Sequence, residues 1–389
     1  MLRIAIIGAG LGGLCMGQGL RRHGIAFDIY EKDSSPSSRT QGYRIRIDET
    51  GQRSLAQCLP ADRYDLFRAS CAVTTTGGQF IGPDMSVIGG RAVETWRPSE
   101  VEDAPGEEAA GDLSANRLTL REVLLDGIAD RVHFGKALSH VTETDDGVTV
   151  HFEDGSTAVA DVVVAADGVN STIRRQRLPH TEPADTGAVC LYGKTVLTGA
   201  LGDTIPVDLL TGTSVVFADG FVAVLDSMTF RQSLFTPENG LTAVPDYLYW
   251  AVFGPRIRFG LDAADDPDQD ALAVIERSTR DWHPALREVF ATSDRNTVAA
   301  MTVRTAAAPE PRPAGRVTLL GDAIHAMSPA AGLGANTALR DAATLAAALG
   351  ERPADPIAAV AAYEEQMRIY AGDAISASLL GSAVLASHG

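Results

Sequence analysis

A glycine-rich turn near the start of the chain constrains the fold more than any other feature. Gly8, Gly10 and Gly13 match the pattern GxGxxG in the stretch "IIGAGLGG". An apolar run at residues 2–7 precedes the turn, and the sequence after it predicts a helix over 12–23 and a strand over 26–31. Glycine lets a pyrophosphate approach the backbone, and the helix N-terminus offers it free N–H groups. This order of elements predicts a dinucleotide-binding unit.

An acidic residue in the expected place supports that prediction. Glu31 ends the second strand, eighteen residues after Gly13, where a carboxylate reaches the hydroxyls of an adenosine ribose. We include Lys32 and Arg39 among the cofactor-binding candidates. The alternative is a glycine-rich strand turn with an incidental glutamate, and the motif alone does not distinguish NAD from FAD.

Composition excludes several classes of function. The net charge of −17 repels phosphate backbones, so we expect no nucleic-acid partner. The four cysteines are scattered without a CxxC pair, so we expect no metal site, no disulfide framework and a cytoplasmic location. The apolar N-terminal stretch is interpreted as strand and turn rather than as a signal peptide. The apolar C-terminal segment, about a dozen residues, is too short to span a bilayer.

Two kinds of pattern alternate along the rest of the chain. Helices are predicted over 117–130 and 268–292, and aromatic and β-branched residues over 186–260 predict an antiparallel sheet. The fold class is therefore α/β, with a discontinuous Rossmann-like domain, an interleaved, mostly antiparallel substrate domain and a C-terminal helix. We assign 1–72, 113–180 and 296–389 to the first domain, and 73–112 and 181–295 to the second.

Two later motifs narrow the family. "DGVNSTIR" holds Asp167, Gly168, Ser171 and Arg174 in the spacing DGxxSxxR, and "GDAIHAMSPAAGLGAN" covers residues 321–336. Together with GxGxxG, the chain resembles the single-component flavoprotein aromatic hydroxylases, which share the para-hydroxybenzoate hydroxylase fold. Within that group it is most similar to the tetracycline-inactivating and salicylate-hydroxylase-type monooxygenases.

The resemblance implies FAD as the cofactor, held by both glycine-rich turns. It implies that Asp322 accepts hydrogen bonds from the ribityl hydroxyls, that Arg117 contacts FAD with support from Arg121, and that the second turn borders the flavin. From this turn we take Pro329 and Gly332 as catalytic candidates, and Pro329, Gly332, Gly334, Ala335 and Asn336 as cofactor-binding candidates. Asp167, Gly168 and Arg174 are also cofactor-binding candidates, because the resemblance connects their motif with FAD and NADPH. The alternative is an ordinary salt bridge at a helix start. The sequence is equally consistent with His325 as a packed, hydrogen-bonded turn residue and as a residue with a role in the chemistry.

Candidates for substrate contact come from the middle of the chain and from the second turn. They are Arg46, Met228, Phe230, Trp250 and Ala330. Arg44 and Tyr249 are further possibilities, and alternation alone does not say which face of the middle sheet lies toward the flavin. Ser328 and Ala330 flank Pro329 where relatives carry bulkier residues, which predicts a wider pocket and disfavours tetracycline as a substrate.

The resemblance implies an FAD-dependent monooxygenase. NADPH or NADH reduces the flavin, O2 forms a C4a-hydroperoxide, and an aromatic, phenolic or polycyclic molecule is hydroxylated, with secondary metabolism as the expected setting. Alternatives are a flavin-dependent reductase or dehydrogenase on the same fold, or a non-catalytic flavin-binding protein. We expect a monomer or weak homodimer.

Overall fold

The computed structural model describes residues 2–36, 38, 43–73, 78–89, 111–198, 204–218, 220–262 and 265–386. Arg39, one of the cofactor-binding candidates, lies outside these ranges. Within the described residues, no helix is long and apolar enough to cross a membrane.

Sixteen strands lie within the described residues. In chain order they are β1 (Arg3–Ile7), β2 (Ala26–Glu31), β3 (Ile45–Ile47), β4 (Gly78–Ile81), β5 (Leu113–Ala115), β6 (Val132–Phe134), β7 (Leu138–Thr144), β8 (Gly147–Phe152), β9 (Thr157–Ala160), β10 (Val162–Ala165), β11 (Ala184–Val196), β12 (Thr213–Ala218), β13 (Phe221–Met228), β14 (Tyr247–Pro255), β15 (Ala299–Thr305) and β16 (Val317–Leu319).

Ten α-helices accompany them in the same described part of the chain. They are α1 (Leu11–Arg22), α2 (Glu49–Cys58), α3 (Ala61–Ser70), α4 (Arg117–Leu125), α5 (Thr172–Arg177), α6 (Ala271–Ser278), α7 (Pro284–Ala291), the single turn α8 (Asp322–His325), α9 (Gly334–Glu351) and α10 (Pro356–Ala386).

A five-stranded parallel sheet forms one half of the molecule, in the order β16-β10-β1-β2-β6. β1 and β10 carry the continuous apolar runs that a sheet buried on both faces requires. α1 packs against β2 and α9, and the small antiparallel sheet β7-β8-β9 contacts β1 and β10. The predicted α/β class is confirmed.

A six-stranded mixed sheet, β15-β11-β14-β13-β12-β4, forms the other half. Helices α6 and α7 pack against one of its faces, where they bury an apolar cluster that includes Trp250, Leu272 and Phe290. β15 pairs antiparallel with β11, so residues 299–305 belong to this sheet. The sequence assignment had placed them in the Rossmann-like domain, because short strands do not show which sheet they join.

Two predicted helices differ from the structure in length. The helix predicted over 117–130 ends at Leu125, and Gly127 then adopts φ +70°. The stretch predicted as one helix over 268–292 forms α6 and α7 instead. Pro284 begins α7, and a residue before proline avoids the helical region, so His283 is extended and separates the two helices.

Candidate functional site

The carboxyl ends of four parallel strands meet at one edge of the five-stranded sheet. β1 leads into Gly8, β2 ends at Glu31, β10 leads into Asp167, and β16 leads into Asp322. β2 pairs with one side of β1 and β10 with the other, so the strand order reverses beside β1. In open α/β sheets, ligands bind in the crevice at such a reversal.

The first glycine turn has two positions that only glycine fits. A Cβ on Gly13 would lie 2.0 Å from the carbonyl oxygen of Gly8, and a Cβ on Gly8 would lie 2.3 Å from that of Ala166. Gly10 precedes α1 without a side-chain cap, and no atom of the described residues lies within 4 Å of its Cβ position. The first N–H groups of α1 have no intrahelical acceptor, so this open space suits an anionic ligand.

Glu31 ties the end of β2 to this turn. Its buried carboxylate accepts hydrogen bonds from the N–H of Ala9 at 2.7 Å and from the N–H of Asp33 at 3.0 Å. Each carboxylate oxygen keeps a further acceptor position, which suits a ribose hydroxyl. Lys32 is exposed beside it. Arg121 donates a 2.6 Å hydrogen bond to the carbonyl of Pro36 and so supports the segment after β2.

The second glycine turn places a carboxylate at a helix N-terminus. Gly321 has φ +60° and ψ −146°, a conformation that favours glycine, and it turns the chain sharply from β16 into α8. Asp322 Oδ1 lies 3.9 Å from the Cβ position of Gly334, at the start of α9. The 18-residue helix α9 begins without a side-chain cap.

The Asp322 carboxylate lines a cleft. It is open to solvent from one side although protein surrounds it on the others. Burial raises the pKa of Asp322, and the positive charges of His325 and Arg117 oppose that shift. Arg117 therefore acts electrostatically on the Asp322 carboxylate.

The two glycine-rich turns touch each other. A Cβ on Gly12 would lie 2.8 Å from Leu320 Cδ1 and 3.4 Å from the Cβ of Ala338, because α1 packs closely along α9. Two segments from opposite ends of the chain therefore line one cleft, with a helix N-terminus at each end.

Asn336 holds the second turn in place through its side chain. The amide donates hydrogen bonds to the carbonyls of Gly332 at 2.9 Å and Arg46 at 3.0 Å, and accepts one from the N–H of Asp48 at 3.2 Å. Because protein groups occupy this side chain, any cofactor contact of Gly334, Ala335 and Asn336 falls to their backbone N–H groups.

Arg46 lies on β3, whose backbone contacts the second turn through Asn336, and Arg44 immediately precedes that strand. The Arg46 guanidinium pairs with Asp112, and its Cδ lies 3.5 Å from the Cβ position of Gly332. Gly332 has φ +67° and ends the short turn that the exposed Pro329 begins. Arg44 pairs with Asp226 on β13 and joins the two halves of the molecule.

The DGxxSxxR motif is divided between the cleft and the core. Asp167 and Gly168 lie at the carboxyl edge beside the first turn, and Asp167 accepts a 2.8 Å hydrogen bond from the N–H of Thr172. Arg174 is fully buried, and its guanidinium donates to the carbonyl of Ala323 and to Glu182. The prediction that Arg174 binds the cofactor is wrong, because no part of it reaches the cleft; it ties α5 to the second turn.

A buried network that sequence reasoning missed supports the second turn from behind. Asp341 accepts hydrogen bonds from the N–H of Gly321 at 2.7 Å, from the hydroxyl of Tyr370 at 2.7 Å, and from His325 Nε2 at 2.6 Å. Burial alone would lower the pKa of His325, but the Asp341 carboxylate outweighs it and raises that pKa. An aspartate on the apolar face of a helix is the sequence signal that points to Asp341.

Alternation along β14 puts Trp250 on the wrong side of the middle sheet for substrate contact. Its ring packs edge-on against Phe290 of α7 at 5.0 Å, and its Nε1 donates to Ser293. The prediction that Trp250 contacts substrate is therefore wrong. Tyr249 points the other way, toward the five-stranded half, where Met228 and Phe230 are buried in the core.

Ala330 does not border open space. It is buried against Phe80, Val215 and Val222 of the six-stranded sheet. Among the described residues these side chains pack where the wider pocket was expected, and Ala330 connects the second turn to the sheet.

The residues of this cleft fit a dinucleotide such as FAD. Its lining includes two uncapped helix N-termini, a carboxylate at the end of β2 and a second carboxylate beside α9. The open space over Gly10 leaves room for a diphosphate, and the buried Asp167 Oδ1 has no partner among the described residues.

Family models match two parts of the chain. Residues 6–61, which contain the first turn, match an NAD(P)-binding Rossmann-like domain. Residues 239–368, which contain the second turn, match an FAD binding domain.

Individual proteins show similarity over most of the chain. The dual O-methyltransferase/FAD-dependent monooxygenase elcB of Phaeosphaeria nodorum is 34% identical over 380 residues, covering 89% of this chain and 40% of that protein. The chain thus spans less than half the length of this relative. The FAD-dependent monooxygenase thnD of Trichoderma harzianum is 29% identical, covering 89% of this chain and 82% of that protein.

A solved structure shares the fold. The putative FAD containing monooxygenase from Photorhabdus luminescens superposes with a TM-score of 0.82 at 29% identity, covering 100% of this chain and 98% of that one.

Proposed function

The chain is a homologue of FAD-dependent monooxygenases and carries their FAD-binding fold, and from that premise we propose that it hydroxylates an aromatic, phenolic or polycyclic small molecule with FAD, NAD(P)H and O2. The observation that carries the proposal is the contact between two glycine-rich turns from opposite ends of the chain, which creates one cleft with an uncapped helix N-terminus at each end.

The first turn would hold the adenosine and diphosphate end of FAD. The backbone of Gly8, Gly10 and Gly13 and the N-terminus of α1 suit the diphosphate, and Glu31 suits the ribose. Asp322 would accept hydrogen bonds from the ribityl hydroxyls, with Arg117 nearby to balance its charge.

When bound and reduced, FAD supplies the activation of O2 and the transfer of one oxygen atom to the substrate. This chain would contribute charge stabilisation through the N–H groups of Gly334, Ala335 and Asn336. They lie at the positive end of α9, and a helix N-terminus stabilises negative charge that develops beside it without a side-chain acid.

The space between the second turn and the sheet face of Tyr249 is the proposed substrate region. Arg44, held by Asp226, and Arg46, held by Asp112, border it on the β3 side. Ala330 packs against Phe80 and limits how far the sheet separates from the turn, which helps to exclude water from the reaction.

The test measures NADPH oxidation, O2 consumption and product with a panel of naphthols, hydroxynaphthoates and polycyclic phenols. A substrate that stimulates equal NADPH and O2 consumption, and whose product carries 18O from 18O2, supports the proposal. Substrate-stimulated NADPH oxidation that continues without O2 would indicate the reductase alternative. A flavin-loaded protein that no compound stimulates would indicate a non-catalytic flavoprotein. Sedimentation velocity on the same sample tests whether the chain is a monomer or a weak homodimer.

A further inference from the structure

Three polar side chains lie together on the face of the six-stranded sheet that packs against the five-stranded half. Lys194 on β11 is directly opposite Tyr249 on β14, and Tyr192 lies two residues before Lys194 on the same face. Side chains in this arrangement are within reach of one another. All three are only partly buried, so part of each remains accessible.

The ammonium group of Lys194 has aromatic neighbours but no anionic partner in the described part of the chain. Its Nζ lies 4.9 Å from the ring centroid of Tyr43 and 5.3 Å from that of Tyr247. Among the described residues, no carboxylate lies within salt-bridge distance of it. Cation–π attraction offsets part of the cost of removing the charge from water, but it provides no acceptor for the N–H donors of the ammonium, and these donors have none among the described residues. Lys194 is only partly buried, so water or a ligand can supply the acceptors.

The nearest acid in the same row of the sheet is already neutralised. Asp226 lies opposite Tyr249 on the side away from Lys194. It pairs with Arg44 and also accepts hydrogen bonds from the hydroxyls of Ser114 and Thr213, each at 3.2 Å. Burial lowers the pKa of Lys194, and the more distant Asp294 opposes that shift.

The hydroxyls of Tyr192 and Tyr249 also have no protein acceptor among the described residues. Neither Tyr192 nor Tyr249 donates a hydrogen bond to any residue in the part of the chain that the structure describes. Burial raises the pKa of both phenols, so both stay protonated and remain available as donors. Tyr192 and Tyr249 both pack against the apolar cluster of the five-stranded half, which carries the proposed cofactor cleft.

We propose that Lys194, together with the hydroxyls of Tyr192 and Tyr249, binds an anionic oxygen of the aromatic substrate, and that Lys194 determines specificity for that charge. The oxygen belongs to a carboxylate or to an ionised ring hydroxyl. This inference rests on the proposed function, since it names the substrate class for the same site. A purely structural Lys194, which only fastens Tyr43 to Tyr247, is the competing explanation.

The test compares three probes that share one ring system. They are 1-hydroxy-2-naphthoate, its methyl ester, and methyl 1-methoxy-2-naphthoate. Binding to the oxidised, FAD-loaded protein is measured without NADPH from the change in flavin absorbance, so no turnover is required. The readout is the ratio of the Kd of the fully methylated probe to the Kd of the acid.

We expect the wild type to prefer the acid, and Lys194→Met to reduce that preference roughly tenfold or more, the size of a charge-assisted hydrogen bond. Lys194→Arg keeps most of the preference. Lys136→Met, which removes the same charge from a surface pair with Asp154, serves as the matched control and leaves the ratio unchanged. FAD content and Tm of each variant show whether it is folded. Binding of the hydroxy ester that tightens as its hydroxyl ionises, and no longer does so in Lys194→Met, identifies the ring hydroxyl as the oxygen bound.

Two results would overturn the inference. The first is a wild type that binds the acid no better than the fully methylated probe. The second is a Lys194→Met variant that weakens the binding of all three probes by the same factor, as a purely structural role of Lys194 would predict. Failure of the proposed function is a separate outcome. Charge-selective binding without oxygenated product would contradict the hydroxylase assignment but support the anion site. Product formation without charge selectivity would support the hydroxylase assignment but contradict the anion site.

Discussion

Replacing Asp341 tests whether the buried network behind the second turn determines both stability and cofactor binding. Its carboxylate is fully buried and accepts three hydrogen bonds, from Gly321, Tyr370 and His325. Asp341→Ala removes all three acceptor contacts and leaves the His325 imidazolium buried without its partner.

The expected loss in the free energy of unfolding depends on which partners of Asp341 the substitution leaves unpaired. Removing one partner of a buried ion pair costs about 3–5 kcal/mol, so we expect Asp341→Ala to lower the free energy of unfolding by that amount. Asp341→Asn keeps an acceptor for Gly321 and His325, and the hydroxyl of Tyr370 can rotate to accept from the new amide. Its cost is therefore smaller, about 1–2 kcal/mol, mainly for the lost charge.

The assay is urea unfolding at pH 6 and a fixed FAD concentration, with the Kd for FAD measured separately by fluorescence titration. Because Asp341 holds the N–H of Gly321, which precedes Asp322, we expect Asp341→Ala also to weaken FAD binding. Asp373→Ala, an exposed acid on α10, is the control and should change stability by less than about 0.5 kcal/mol. If Asp341→Ala costs less than about 1 kcal/mol and binds FAD normally, the network does not support the turn, and the reasoning is refuted.

Other predictions follow from the same geometry. Asp322→Ala and Glu31→Ala should each raise the Kd for FAD roughly tenfold or more, since each removes a carboxylate acceptor at one end of the cleft; full FAD retention after gel filtration would contradict the site. Trp250→Phe should cost about 1–2 kcal/mol in urea unfolding through its lost bond to Ser293, and should leave the selectivity among the naphthoate probes unchanged. A change in that selectivity would contradict the assignment of sheet faces. His325 has a raised pKa in the folded state, so its pairing with Asp341 contributes fully below the unfolded histidine pKa and is lost as pH rises through the folded value. The stability advantage of wild type over His325→Gln should therefore shrink with rising pH, and an advantage that grows would refute the charged pair.

Sequence reasoning was most reliable where the signal is local. The turn at Gly8–Gly13 sits between its strand and helix as predicted, because one motif defines the strand end, the turn and the helix start together. Boundaries set by distant contacts were less predictable. The pairing of β15 with β11 and the break at His283 depend on packing and on one proline rather than on hydrophobic periodicity.

The sheet faces show why alternation has a limit. A period of two separates Tyr249 from Trp250, but it does not say which face meets α6 and α7 and which meets the five-stranded half. Arg174 and Ala330 failed as site predictions for a related reason. A motif identifies residue types, whereas burial of a guanidinium against Ala323, or of a methyl group against Phe80, depends on elements that lie far away along the chain.

The amino-acid sequence by itself determined the two glycine-rich turns, the carboxylates Glu31 and Asp322 and the α/β class, because steric limits on the backbone and the polarity of helix ends act over a few residues. Only the tertiary structure brought Gly12 against Leu320, placed Asp341 behind Gly321 and put Lys194 beside Tyr43 with no anionic partner among the described residues. Those arrangements depend on which surfaces pack against each other, and packing joins residues whose separation in the chain carries no local signal.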